Sequence, residues 1–189
     1  KSFYISGLPG IIGGLFLSIG FAAYVFAMYT TTVANTNFII TTETIFLEIL
    51  GFFFLKEKID LVTLASIILG MSGVLIILGS SLSIQSNEQF LGNIVAFIMP
   101  ISFAVLVVIV RKYPKVDMVP AQFTAGIVAA AIGFYFAGQL SISYHDLFLA
   151  FLAGFFQIGF GFILITIGSQ TTPAAVVGVL MLTESVFGP

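Results

Sequence analysis

Seven apolar runs follow one another along this chain, each about as long as the hydrocarbon core of a bilayer is thick. They cover approximately residues 8–28, 33–55, 61–80, 90–110, 118–138, 147–168 and 173–189. A run of about 20 residues makes roughly 30 Å of helix. The alternation of a membrane barrel is absent, so the runs are expected to be helices that satisfy their own backbone groups within lipid. Of 189 residues, 7% are charged and 59% are hydrophobic. That charge cannot cover a water-facing surface, so the solvent is expected to be the lipid bilayer. The fold class is an all-α integral membrane protein.

Polar punctuation marks the helix starts. Ser6 precedes Pro9, Asp60 precedes Leu61, Asn87 precedes the Phe90 run, Asp117 precedes Pro120, Asp146 precedes Leu147 and Thr172 precedes Pro173. Such side chains accept hydrogen bonds from the first free backbone N–H groups, and proline suits the first turn. Pro100 lies inside the fourth run and is expected to kink it. The six basic residues are Lys1, Lys56, Lys58, Arg111, Lys112 and Lys115. With seven spans they all fall on one side, which the positive-inside rule makes the cytoplasm. A miscounted span would have scattered them over both faces.

Composition also excludes classes. Net charge is −2 without a basic block, so no nucleic acid is expected as partner. The absence of cysteine removes disulfides and thiolate metal sites, and His145 is the lone histidine. No cofactor or metal is expected. The chain opens at Lys1 rather than Met and stops within an apolar run, which reads as a piece of a longer protein. Ladders of small residues spaced by four occur in the first run (Gly10, Gly14, Ser18, Ala22) and the fifth (Ala121, Ala125, Ala129, Gly133, Ala137). They are expected to pack helices closely within one bundle, with homodimerisation as the other reading.

Glu43 lies inside the second run. A carboxylate at bilayer depth costs roughly 3 kcal/mol on insertion scales. Its surroundings, Thr41-Thr42-Glu43-Thr44, are echoed by Leu182-Thr183-Glu184-Ser185 at an offset of 141 residues. The same offset matches Gly13 with Gly154, Gly20 with Gly161, Phe21 with Phe162, Thr30-Thr31 with Thr171-Thr172 and Ala34 with Ala175. The first span thus pairs with the sixth and the second with the seventh. A repeat of five spans is odd in number, so its second copy crosses the membrane upside down. The expected whole is a ten-helix 5+5 inverted-repeat bundle, of which this chain carries about seven helices.

Phe21 to Asn35, leading through Glu43 to Leu55-Lys56-Glu57-Lys58, resembles the first repeat of the EamA-type transporters of the drug/metabolite superfamily. There the helix typically ends in a Leu-Gly-Glu-Arg-like motif; Lys56 stands here in place of the glycine. The Gly70 to Gly79 segment is similar to the glycine-rich span that follows, and Thr172-Pro173-Ala174-Ala175 through Glu184 resembles the second repeat. Where the family often has Glu-Pro, this chain has Glu184-Ser185. The resemblance implies residues 1–80 as the last three helices of the first repeat, 81–89 as the loop between repeats, and 90–189 as a second repeat truncated in its fourth helix. It implies ten spans, a bacterial inner membrane, and movement of amino acids, metabolites or drugs.

Candidate residues for substrate binding or coupling are Glu43 and Glu184, with Thr36, Asn35 and Thr42 on the stripe around the first and Thr183 beside the second. A proton-titrating or ammonium-binding carboxylate near the midplane is one reading of each glutamate; a structural hydrogen bond between helices is the other. Val176 and Val177 stand where Asn35 and Thr36 do, so the cavity is expected to be chemically asymmetric. Glu48 points away from Glu43 on its helix and is a candidate for the cytoplasmic vestibule, with structural pairing the equal alternative. Glu57, flanked by lysines, reads as a solvated, locally paired residue. Gln122 and Gln157 read as interhelical bonds, and His145 as a loop residue. A secondary active transporter of a small organic solute leads, with protons as a candidate coupling ion. The alternatives are a scaffold or intramembrane enzyme, or a passive channel. No Gly-x-Ser-x-Gly or His-Glu-x-x-His motif and no filter-like segment is present, and no enzyme is expected.

Overall fold

A computed structural model describes residues 2–58, 60–78, 86–138 and 141–187, excepting the side chains of 2–5, 74, 77, 78 and 184–187. Among them the chain is helical without a strand. We number the helices α1 (Ser2–Thr30), α2 (Val33–Leu55), α3 (Leu61–Leu78), α4 (Asn87–Lys112), α5 (Val119–Phe136), α6 (Tyr144–Ser169) and α7 (Ala174–Phe187). Each falls on one of the seven apolar runs. Counted over the described residues, five are long and apolar enough to cross a membrane: α1 from Ser6, α2, α4, α5 and α6. In α3 and α7 the unbroken runs of residues with described side chains form the apolar stretches Leu61–Gly73 and Ala174–Thr183.

The irregularities have local causes. Within α1, Gly7 takes φ 51° and ψ −153°, a backbone that only glycine adopts cheaply. The regular spiral therefore begins after it, with Pro9 in the first turn, where its missing N–H costs nothing. The break in α4 lies at Phe97, between Asn87–Ala96 and Ile98–Lys112. Pro100 has no N–H to return to the Ala96 carbonyl, and its ring crowds that turn. Capping matches the sequence reading at Asp60, whose Oδ1 accepts from Val62 N, and at Asp117, whose Oδ1 accepts from Val119 N. Two starts fall earlier than expected. Ser86 caps α4 through Gln89 N, and Ser143 caps α6 through Asp146 N, while its hydroxyl donates to Asp146 Oδ2. Both bonds run through the Ser143 hydroxyl, which caps one backbone N–H, and Asp146 therefore lies inside the helix and His145 in its first turn rather than in a loop.

Helix α4 is the hub. More than half of its apolar window is buried, against none in α6. One cluster joins Leu47 of α2, Phe103, Ala104 and Val107 of α4, and Ala174 and Val177 of α7. A second joins Leu17 of α1, Leu106 and Val110 of α4, and Met118 and Ala125 beside and within α5. The small-residue ladders meet each other here. A methyl group on Gly14 would lie 2.7 Å from the Ala121 carbonyl oxygen, so α1 and α5 cross almost backbone to backbone. Farther along α5, Gly126 and Gly133 face open space.

Candidate functional site

Glu43 is buried, and it stands where α2 changes character. The helix runs Val33–Thr41, is interrupted at Thr42 (φ −65°, ψ −9°), and resumes at Glu43–Leu50. Three hydroxyls compete for the local carbonyls. Thr41 donates to Phe38 O at 2.6 Å, Thr42 to Ile39 O at 2.6 Å, and Thr44 to Thr41 O at 3.0 Å. Back-bonding by threonine loosens and bends a helix. Around Thr42 the main chain tightens to three-residue steps: Thr42 N donates to Ile39 O and Ile45 N to Thr42 O, both at 3.0 Å. The Thr-Thr-Glu-Thr segment thus places a carboxylate at a discontinuity inside an apolar span.

Helix α7 approaches α2 closely at the same level. A methyl group on Gly178 would lie 2.9 Å from Thr44 Cα. The two helices paired by the 141-residue offset therefore touch one residue away from Glu43. A second pair at that offset also touches: Phe21 and Phe162 stack edge to face with ring centroids 5.1 Å apart. Phe162 packs in the same way on Phe103 of α4, at 5.9 Å.

The other expected site residues are dispersed. Thr36 is fully buried and donates to Thr32 O. Asn35 is buried one turn inside α2. Its Nδ2 donates to Thr31 Oγ1 at 3.1 Å and to Asn93 Oδ1 of α4 at 3.3 Å, while the Thr31 hydroxyl donates to Asn93 Oδ1 at 2.6 Å. Eight residues, about 12 Å of helix, separate Asn35 from Glu43. This amide cluster thus closes one end of the bundle and is not part of the Glu43 surroundings. The Thr42 hydroxyl is used locally, and Thr183 is exposed, with its hydroxyl donating to Leu180 O. Glu184 lies on α7, and its side chain lies outside the described residues. Gln122 makes the expected interhelical bond, from Nε2 to Thr166 Oγ1 at 2.7 Å. Gln157 is exposed.

Sequence reasoning missed a network at the opposite end of α2. Glu57 is not paired with its neighbouring lysines. Its Oε1 accepts from Arg111 Nε at 3.2 Å, and its Oε2 accepts from Ala174 N at 2.9 Å. Arg111 also donates from Nη1 to Gln170 O at 3.0 Å. One carboxylate thus caps α7 at its positive end and pins the end of α4 to it. The last turn of α2, Gly51–Leu55, is widened to the π type and ends at Lys56 in the left-handed region, φ 57°. That is the position where the Leu-Gly-Glu-Arg-like pattern carries glycine. Gly51 leaves the room: a methyl there would meet Ala174 Cβ at 3.2 Å and Glu57 Oε2 at 3.4 Å.

The long apolar helices and their packing define a multi-pass, all-α membrane protein. Residues 3–79 match the model of the EamA-like transporter family. Over this segment, which is less than half of the chain, the protein is similar to that family. A solved structure titled only "Crystal structure of protein" superposes with a TM-score of 0.71 at 16% identity, covering 98% of this chain and 78% of that one. At that identity the likeness concerns the fold. No curated protein matches the chain.

Proposed function

We propose that this chain forms the core of a secondary active transporter for a small organic solute, an amino acid, metabolite or drug-like compound, working by alternating access. The observation that carries the reading is Glu43: buried in an apolar span, at a helix discontinuity, one residue from a close contact of α2 with Gly178 of α7. Interrupted helices beside a carboxylate are how transporters hold substrate or coupling ions inside a bilayer. The Phe21–Phe162 contact supports inverted repeats, because residues near a two-fold axis meet their own equivalents. On this reading residues 1–80 close the first five-helix repeat and 90–189 belong to the second. Glu43 and Glu184 serve the translocation path, with protons as the coupling ion. Two ladders meeting inside one chain account for Gly14 and Ala121 without a homodimer; the open Gly126 and Gly133 of α5 are the face a second copy would use. The loops carrying Lys56, Lys58, Arg111, Lys112 and Lys115 face the cytoplasm of a bacterial inner membrane.

The test is uptake in proteoliposomes across a panel of solutes, under an imposed proton gradient. Glu43→Gln should fold and lose concentrative uptake. Wild-type uptake by that variant would remove Glu43 from the mechanism, and gradient-independent flux would make the protein a channel. Topology is checked by single cysteines placed at Lys56 and Lys115, which the cysteine-free sequence makes clean. Labelling from opposite faces would overturn the repeat.

A further inference from the structure

Five residues beyond Glu43, and so about 7.5 Å nearer the lysine-bearing end of α2, lies a second buried carboxylate. Glu48 is 9% exposed, and its Oε1 is buried with no hydrogen-bond partner. It lines a cavity of about 320 Å³ between α2, α3 and the start of α7, a volume at the small end of the range for organic ligands. Of the other charges of this wall, Glu57 and Arg111 are bound to each other and to backbone groups. Both oxygens of Glu57 are engaged, by Arg111 and by Ala174 N, and Arg111 is further held by Gln170 O. Lys58 is exposed at the cavity's edge. That leaves Glu48 Oε1 as a buried acceptor without a donor among the described residues. A buried acceptor left unsatisfied is costly, and a charge-assisted donor is its best remedy. The remaining wall is apolar, with Phe52 and Val176 on facing helices and the Thr63 hydroxyl as an added polar contact.

We propose that this cavity is a binding site for a small organic monocation. Its ammonium group donates to Glu48, and its short apolar body lies between Phe52 and Val176. An anion is disfavoured by Glu48 itself: the Arg111 guanidinium is already neutralised by Glu57, and the Lys58 ammonium is exposed to solvent at the cavity's edge. A divalent metal would find one free carboxylate, too few oxygen ligands for a hard cation. The site is separate from Glu43, and its occupancy is read by binding alone, so it stands or falls independently of transport.

The experiment is calorimetric titration of the purified full chain in lipid nanodiscs with n-butylammonium chloride. Sodium butyrate and n-butanol, at matched ionic strength, are the probes of opposite and of no charge. The expected result is saturable binding of butylammonium alone, at least tenfold weaker in Glu48→Gln. Val176→Phe, which fills the cavity and leaves the charge of Glu48 in place, should weaken it comparably and serves where Glu48→Gln does not fold. Three outcomes overturn the proposal. They are no saturable butylammonium binding, equal binding of butanol, and an affinity unchanged in Glu48→Gln or Val176→Phe. The first of these would leave Glu48 as a carboxyl that meets its need with a proton.

Discussion

Lys56 ends α2 in the left-handed conformation, φ 57°, the position of glycine in the related motif. For an L-residue that backbone costs roughly 1–2 kcal/mol, because Cβ crowds the following carbonyl. Glycine has no Cβ and is relieved of the cost, though it gives back part of the gain, about 0.5–1 kcal/mol, through the freedom of its unfolded chain. Substitution also removes a cation near a helix C-terminus, worth about 0.3–1 kcal/mol. A direct comparison of Lys56→Gly with the parent therefore mixes three effects. Comparison with Lys56→Ala cancels the charge and isolates the backbone. Glycine should exceed alanine by about 1 kcal/mol net. For a chain of 150–250 residues that corresponds to an apparent melting temperature higher by about 2–4 °C. The assay is far-ultraviolet circular dichroism on heating in detergent, at one scan rate for all three proteins. If Lys56→Ala melts at or above Lys56→Gly, the left-handed strain is not there and the account of this terminus fails.

Three further outcomes follow from the packing. Gly178→Ala places carbon 2.9 Å from Thr44 Cα, below the optimum of about 3.5–4.0 Å. It should lower stability by about 1–3 kcal/mol in the same melting assay, whereas Gly126→Ala, facing open space, should not. Arg111→Met should lower stability by roughly 1–2 kcal/mol, with the loss shrinking at high salt because both partners are partly exposed. In a double-mutant cycle with Glu57→Gln the two losses should be less than additive. Phe21→Leu and Phe162→Leu should couple by about 0.5–1.5 kcal/mol in the same kind of cycle, and strict additivity would mean that the edge-to-face contact is not made in the folded protein.

The seven apolar runs gave the helices because lipid leaves a backbone no other partner than itself. Pro100 and the Thr41-Thr42-Glu43-Thr44 run gave breaks for equally local reasons: a missing donor in one, competing hydroxyls in the other. The left-handed Lys56 was visible only as a departure from a glycine-bearing pattern. Pairings across the bundle had no such local signal. Glu57 looked solvated because Lys56 and Lys58 flank it, yet its cation is Arg111, 54 residues along the chain. Asn93 is an isolated amide in the fourth run, and nothing in its neighbourhood points to Thr31 or Asn35. Helical period tells which side of a helix is polar; it does not tell which neighbour that side meets.

Polar groups within these spans nevertheless obey a rule that the sequence could not display. Inside lipid an interhelical hydrogen bond is the alternative to an unsatisfied group, and the helices meet where such bonds form. Asn35 and Thr31 tie α2 and the end of α1 to α4 through Asn93, Gln122 ties α5 to α6 through Thr166, and Glu57 ties the α2–α3 loop to α4 and α7. These ties hold the ends and flank of the bundle. The stretch of α2 between them, from the Thr42 break to the widened turn at Gly51, packs through Leu47 on Phe103, Ala104 and Val107 of α4 and on Ala174 and Val177 of α7, and it meets Gly178 closely at Thr44. Glu43 and Glu48 both lie on that stretch. That stretch, between the Thr42 break and the widened turn, carries both of the buried carboxylates whose side chains are described, so the two irregular turns of α2 bracket its buried acids.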